Sequence, residues 1–233
     1  MPSTDFWWLA PEEVGQYGYI ELFHQEPYSD ELSTDKDPCS CPMLKSDRRY
    51  LSESISHWKE KYEHKNVFRS FALYSSDGNG KEIIGPFLLD IDRILENAPG
   101  HVPDLTKALE DTRLLVKKYC SNLKDEDYRV LFTGHKGFHI EVRPSAISTS
   151  PHVDRRQCFE RERTEINKSF GHDFVDKFHD HVRLHNSINH WIDYSGKETY
   201  SMSFEASVDG LFSLSAEDIF ARAKDLASAV LHR

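Results

Sequence analysis

The chain has 233 residues, 38% of them hydrophobic and 29% charged, with a formal net charge of −10 at pH 7. That balance suits a soluble globular protein with a sizeable core, and no run nears the roughly 18 apolar residues of a membrane span, so no membrane association is expected. The acidic excess argues against a generic nucleic-acid coat, which is basic overall, yet leaves room for an enzyme holding nucleic acid in a local groove.

Along the chain, residues 1–45 are aromatic-rich and then polar, with Pro27, Pro38 and Pro42, which suggests a short ordered piece followed by a loop. Ser46 is placed to cap a helix running to about Tyr62, with Leu51, Ile55, Trp58 and Tyr62 at helical spacing. Val67 to Tyr74 alternates as a strand, Asp77-Gly78-Asn79-Gly80 is a hairpin turn, and Ile83 to Leu89 reads as its partner strand. Pro103 opens the clearest helix, whose apolar stripe includes Leu105, Leu109, Thr112, Val116 and Cys120. Tyr128–Phe132 and Phe138–Val142 follow as strands, then a loop over Pro144–Pro151 and a charged helix from Arg155 to about Ser169. Short strands are expected over 173–208. Ser215, with Asp218 three residues on, starts a last helix through Val230.

Residues 83–143 therefore read β-α-β-β, the front half of a ferredoxin-like or RNA-recognition-motif-like sheet with a right-handed first crossover. The fold class expected is α/β (α+β). Cys39, Cys41, Cys120 and Cys158 lack disulfide or zinc-knuckle spacing, and Met1-Pro-Ser-Thr-Asp-Phe-Trp-Trp lacks the features of a secretory signal. A reduced, cytoplasmic setting is expected (nucleoid or nuclear in the widest reading).

Chemistry concentrates in two segments. Phe87-Leu-Leu-Asp-Ile-Asp92 is an apolar strand that ends in two carboxylates, Asp90 and Asp92. Two residues apart on a strand, they leave the same face, and such mutually repelling acids are tolerable where a divalent cation neutralises them. Thr133-Gly-His-Lys-Gly-Phe-His139 is a turn bracketed by glycines. Its glycines let backbone N–H groups converge on an anion, Thr133 adds a hydroxyl, Lys136 a fixed positive charge, and His139 an imidazole donor. His139 and Glu141 share one sheet face, Phe138 and Ile140 the other. A solvated strand-end acid and a solvated hairpin are the plain alternatives, and it is the combination that points to chemistry.

These segments resemble motifs of the archaeo-eukaryotic primase superfamily. The glycine-bracketed turn is similar to its motif II, Ser-Gly-x-x-Gly-x-His, with Thr133 in place of serine. Phe87–Asp92 is similar to motif I, an apolar strand ending in Asp-x-Asp, and the roughly 40-residue interval filled by one helix fits as well. Val182-Arg-Leu-His-Asn-Ser-Ile-Asn189 resembles the segment that contributes Arg183 and Asn189 to the triphosphate site, although His185 and Asn186 stand where proline and glycine are common. Motif III supplies a third metal-binding Asp. Asp173 has the better spacing and Asp176 the better strand, and both stay open.

The resemblance implies a primase fold of one catalytic domain over 1–233: a flank and helix over 1–66, forming an N-terminal α/β module against the sheet, a core over 67–210 and a C-terminal helix over 211–233. It implies a template-dependent nucleotidyltransferase, a DNA primase or DNA polymerase joining (d)NTPs. Asp90, Asp92 and Asp173 or Asp176 would hold two Mg²⁺ or Mn²⁺ ions, and Thr133, His135, Lys136, His139, Arg183 and Asn189 would hold the nucleotide. Implied partners are (d)NTPs, single-stranded or primed DNA template, and a helicase or other replication or repair protein. The competing readings are a nucleotidyl cyclase or oligonucleotide synthetase, and a non-catalytic nucleotide- or DNA-binding member of the family. Phe68-Arg69 resembles an upstream nucleotide-facing arginine, with a strand-edge surface ion pair as the alternative. Trp7 and Trp8 read as core or interface. His172, His179, His181, His185 and His190 cluster without firm ligand spacing.

Overall fold

In the computed structural model the described residues are 7–8, 17–25, 28–29, 45–50, 60–62, 65–70, 72–75, 82–96, 98, 102–147, 155–171, 174–175, 181–193 and 195–232. They form a mixed α/β structure. Its strands are β1 (Tyr17–Gln25), β2 (Tyr28–Ser29), β3 (Lys45–Tyr50), β4 (Asn66–Ser70), β5 (Ala72–Ser75), β6 (Glu82–Ile84), β7 (Phe87–Asp92), β8 (Tyr128–Phe132), β9 (Gly137–Val142), β10 (His181–Arg183), β11 (Ile188–Ile192), β12 (Glu198–Met202) and β13 (Phe204–Ala206). Its helices are α1 (Leu105–Lys118), α2 (Pro144–Ile147), α3 (Arg155–Phe170), α4 (Val208–Ser213) and α5 (Ala216–Leu231). None is long and apolar enough to cross a membrane.

The central sheet runs β13-β8-β9-β7, each neighbour antiparallel. β7 and β8 are joined by α1 and lie parallel with β9 between them. Alternation separates the two faces. Phe87, Leu89 and Ile91 of β7 lie in register with Val142, Ile140 and Phe138 of β9, and these with Tyr128, Val130 and Phe132 of β8. All nine are buried in one core with Ala108, Leu109, Leu115 and Val116 of α1, Phe159 and Ile166 of α3, and Ile219 and Ala223 of α5.

The helices that cover this core start where their caps dictate. Asp104 accepts from Lys107 N at 2.9 Å, so α1 begins just past Pro103, and Lys117 and Lys118 in its last turn complement the helix dipole. Ser215 and Asp218 form the expected reciprocal capping box on α5.

A second sheet, ordered β10-β4-β1-β5-β6 with β3 also on β1, faces the opposite side of the central sheet. Here the sequence reading needs correction. Residues 1–45, expected as a short ordered piece followed by a loop, contain β1, a nine-residue strand that pairs with β3, β4 and β5. The expected helix start at Ser46 is strand: Lys45–Tyr50 lies antiparallel to β1, from Tyr19 opposite Tyr50 to His24 opposite Lys45. That strand is held by a long-range ladder to β1, of which local helical spacing gives no hint. Glu60 and Lys61 are helical, while 51–59 lie outside the described residues.

The single strand expected over Val67–Tyr74 is two segments along β1, with Leu22 opposite Arg69 and Tyr19 opposite Tyr74. β5 and β6 do pair antiparallel, with the Asp77–Gly80 turn outside the described residues. β6 stops at Ile84, however, and β7 leaves for the central sheet. Pro144–Ile147, expected as loop, is a short helix.

β12-β11-β2 make a third sheet, backed by α5 through Met202, Ile188 and Ala227. The buried Asn66 ties β4 to β11, its Nδ2 donating to His190 O at 2.8 Å and its Oδ1 accepting from His190 N at 3.0 Å.

Candidate active site

The non-core face of the central sheet turns toward the second sheet, and a cleft opens between them. It is lined by Leu88, Asp90 and Asp92 of β7, His139 of β9, Thr133, His135 and Lys136 of the turn, Phe68 of β4, Val182 and Arg183 of β10, and Asn189 of β11. Every nucleotide-binding residue expected from sequence is there, beside both strand-end carboxylates. The cleft holds about 230 Å³. That falls just below the ~300 Å³ at which pockets enclose whole drug-sized ligands.

Register explains the convergence. Asp90 lies opposite His139 and Asp92 opposite Gly137, so both acids and the imidazole leave the same face. His139 Nε2 sits 3.3 Å from Asp90 Oδ1. Burial alone would push the His139 pKa down, but Asp90, Asp92 and Glu141 outweigh it and the pKa is raised. His139 is thereby favoured as a cationic donor at the foot of the cleft.

The two glycines of the turn have different reasons. Gly134 has φ +92°, a left-handed conformation that side chains resist. Gly137 is needed for close approach: a Cβ there would sit 1.9 Å from the Ile91 carbonyl oxygen and 2.7 Å from Asp92 Oδ1. Thr133 closes the turn, its N–H donating to Gly137 O at 3.0 Å and its hydroxyl donating to the same oxygen at 3.1 Å. Ser201 donates its hydroxyl to Gly134 O, fixing the turn to β12.

His135, expected among the nucleotide-binding residues, lines the cleft. It is buried and stacked on Trp191, ring centroids 3.9 Å apart. Burial first, then Lys136 and Arg183, push its pKa down to about 3. Its imidazole is thereby favoured in the neutral form, which keeps one N–H donor at the cleft wall.

Arg183 is held over the Phe68 ring at 4.7 Å and donates to Asn66 Oδ1 at 3.0 Å, which aims its guanidinium along the cleft. The Asn189 side chain is buried, and its Oδ1 has no hydrogen-bond partner among the described residues. Arg69 is neither nucleotide-facing nor at a surface. It is buried under the Trp8 ring and donates to Glu141 Oε1 at 2.7 Å, joining the two sheets behind the cleft. Trp7 Nε1 donates to Glu141 Oε2 at 3.2 Å.

Two oxygen donors on one strand end, in a cleft with cationic donors opposite, suit a hard divalent cation such as Mg²⁺ or Mn²⁺. Among the described residues no third His, Cys, Asp or Glu completes a metal-binding group. Asp173 and Asp176 lie outside the described residues, as do His172 and His179. His190 stacks on Tyr200, and His185 Nε2 accepts from Glu205 N at 3.0 Å. Cys120 and Cys158 are buried free thiols, and burial raises the Cys120 pKa to about 12.

Sequence reasoning missed Asn66, Phe68 as cleft wall, the buried Arg163 that donates to Leu88 O at 3.2 Å, and the Arg93–Asp111 pair. The one local signal was an acid, Asp111, inside the buried stripe of α1, because a buried acid needs a cation.

No protein-family model matches the chain, and no curated protein matches it. Among solved structures it is similar to the polymerase domain of Mycobacterium tuberculosis ligase D in complex with DNA, at 13% identity, covering 97% of this chain and 86% of that one with a TM-score of 0.42. So distant a likeness decides nothing about chemistry.

Proposed function

We propose that this chain is a nucleotidyltransferase of the primase-polymerase class. More particularly, we read it as a DNA primase or DNA polymerase that joins (d)NTPs on a DNA template. The observation that carries the reading is the cross-strand pairing of Asp90 with His139, which puts the carboxylates and the glycine-bracketed turn in one cleft with Arg183 and Asn189. The strand order β7-β9-β8 around one α1 crossover supports the RNA-recognition-motif-like half-sheet of that class, while β13 pairs on the β8 edge.

Asp90 and Asp92 would hold Mg²⁺ or Mn²⁺, with Asp173 or Asp176 as the proposed third carboxylate. Bound there, the ions would make the attacking 3′-hydroxyl more acidic and offset charge on the transferred phosphate.

The chain's own groups do the positioning. Lys136 supplies a point charge and Arg183 a planar fork for phosphate oxygens. His139 donates from the sheet beside Asp90, and the Asn189 amide adds a neutral polar contact. His135 and Leu88 keep the cleft wall dry, which strengthens each of these interactions. Held in line, the triphosphate needs little further covalent help.

The test is incorporation of labelled nucleotide on primed and unprimed templates with Mg²⁺ or Mn²⁺, comparing wild type with Asp90→Asn/Asp92→Asn. Template-directed product lost in the variant is the expected result. Product made without template would replace the reading by a cyclase or oligonucleotide synthetase. Metal-dependent nucleotide binding with no product would leave a non-catalytic binding protein. Asp173→Ala and Asp176→Ala, assayed separately, identify the third ligand.

A further inference from the structure

Asn66 is wholly buried in β4, and its carboxamide reaches both β10 and β11. Nδ2 donates to His190 O at 2.8 Å and Oδ1 accepts from His190 N at 3.0 Å, so the side chain stands in for a strand neighbour of β11. Oδ1 also accepts from Arg183 Nη1 at 3.0 Å. That same nitrogen reaches Ile188 O, at 3.4 Å. Asn189 is thus bracketed: Arg183 meets the carbonyl of the residue before it, and Asn66 holds the N–H and carbonyl of the residue after it.

Tying β4 to β11 does not by itself account for this. His190 takes the amide donor and one lone pair of Oδ1, and the second lone pair goes to Arg183. Phe68, on the same side of β4 by alternation, lies in register with Arg183 and under its guanidinium at 4.7 Å. Amide and ring together fix both the reach and the tilt of the planar fork.

The holder is neutral, and that matters for an anion site. Arg69, further along β4, is gripped by the Glu141 carboxylate at 2.7 Å, a pair whose charges cancel. A carboxamide grips Arg183 and brings no negative charge of its own. The field of Arg183 reaches the glycine-bracketed turn, where, after burial and Lys136, it helps to keep His135 neutral.

We propose that Asn66 is a positioning residue for phosphate binding, locking Arg183 and Asn189 into one register with a hold that adds no negative charge. This rests on the function proposed above and identifies Arg183 as the group through which β4 acts on a polyphosphate chain. Asn66 itself does not line the cleft.

The test measures binding of dATP and of inorganic tripolyphosphate by calorimetry, with thermal unfolding in parallel. The proteins are wild type, Asn66→Ala, Asn66→Asp, Arg183→Ala and the double variant Asn66→Ala/Arg183→Ala. Arg183→Ala should weaken both ligands by roughly 10–100-fold, the worth of a hydrogen bond to a charged group. Asn66→Ala should weaken both by about 10-fold, through loss of the aim rather than of a contact. In the double variant the Asn66 change should add less than about 2-fold to the Arg183→Ala loss, because the group it acts through is gone. An Asn66 that only braced the fold would add its full effect there. Asn66→Asp keeps an oxygen for Arg183 but sets a carboxylate against the fork, so it should weaken both ligands at least as much as alanine. It is the deciding variant if Asn66→Ala does not fold.

Wild-type affinity in either Asn66 variant, or fully additive losses in the double variant, overturns the proposal and leaves the functional reading standing. Wild-type protein that binds neither dATP nor tripolyphosphate overturns both.

Discussion

The two faces of the central sheet are built from alternate residues of the same strands, and they obey different rules. On the helix side Phe87, Leu89, Ile91, Phe138 and Ile140 are interchangeable in kind, since any well-packed apolar set of similar volume would close that core. On the cleft side Asp90, Asp92, His139 and Glu141 are fixed in chemistry and place like charges side by side. One face supplies the free energy that holds the strands in register, and the other spends part of it on crowded acids. Neighbouring residues in one strand should therefore fail in opposite ways when changed.

The sharpest contrast lies between adjacent positions. Asp90→Asn/Asp92→Asn should cut nucleotide incorporation by at least on the order of 10³-fold, with little change in unfolding temperature, because the repulsion removed between the two acids offsets the lost pairing of Asp90 with His139. Steady-state rates beside a thermal melt would show it, and a large drop in melting temperature would break the comparison. Leu89→Ala, one residue away, should cost about 2–5 kcal/mol of stability and leave the rate per folded molecule unchanged. Denaturant titration and active-site-normalised kinetics separate the two.

Arg183→Ala should raise the nucleotide KM by roughly 10–100-fold, the worth of a hydrogen bond to a charged group. Lysine should recover only part of this, for want of the fork.

The smallest effect concerns pH. His135 has a folded pKa near 3 against 6.5 for the free side chain, so between these values the unfolded chain binds the extra proton. Stability from this group is complete above about pH 6.5 and falls as pH drops toward 3, by up to about 1.4 kcal/mol per unit. His135→Gln should flatten that part of a stability-against-pH curve, and an unchanged slope would show that the imidazole is wetter than its burial implies.

How much was legible beforehand follows from the range of the interactions. β7, α1, β8, the glycine turn and β9 were readable because period, caps and turn chemistry act within a few residues. The shared cleft was readable too, since a β-α-β-β order brings the end of β7 beside the turn. β1 and β3 were not, because each is a strand mainly by virtue of a partner more than twenty residues away. The surroundings of His135 and Arg69 were not legible for a related reason. Sequence displays charge and donor type, but the stacking of His135 on Trp191 and the burial of Arg69 against Glu141 depend on which sheet lies across from which.

Gly137 leaves a trace that can be sought without any assay of chemistry. Since even a methyl group at that position would collide with the Ile91 backbone, a library randomised there and sorted only for folded, protease-resistant protein should return one codon family. Randomising Gly196, where an added carbon meets nothing but φ is +78°, should return glycine together with the few residues that tolerate left-handed backbone, Asn and Asp first. The strand that bears the acids lies so near the turn that one hydrogen atom is all the space between them permits.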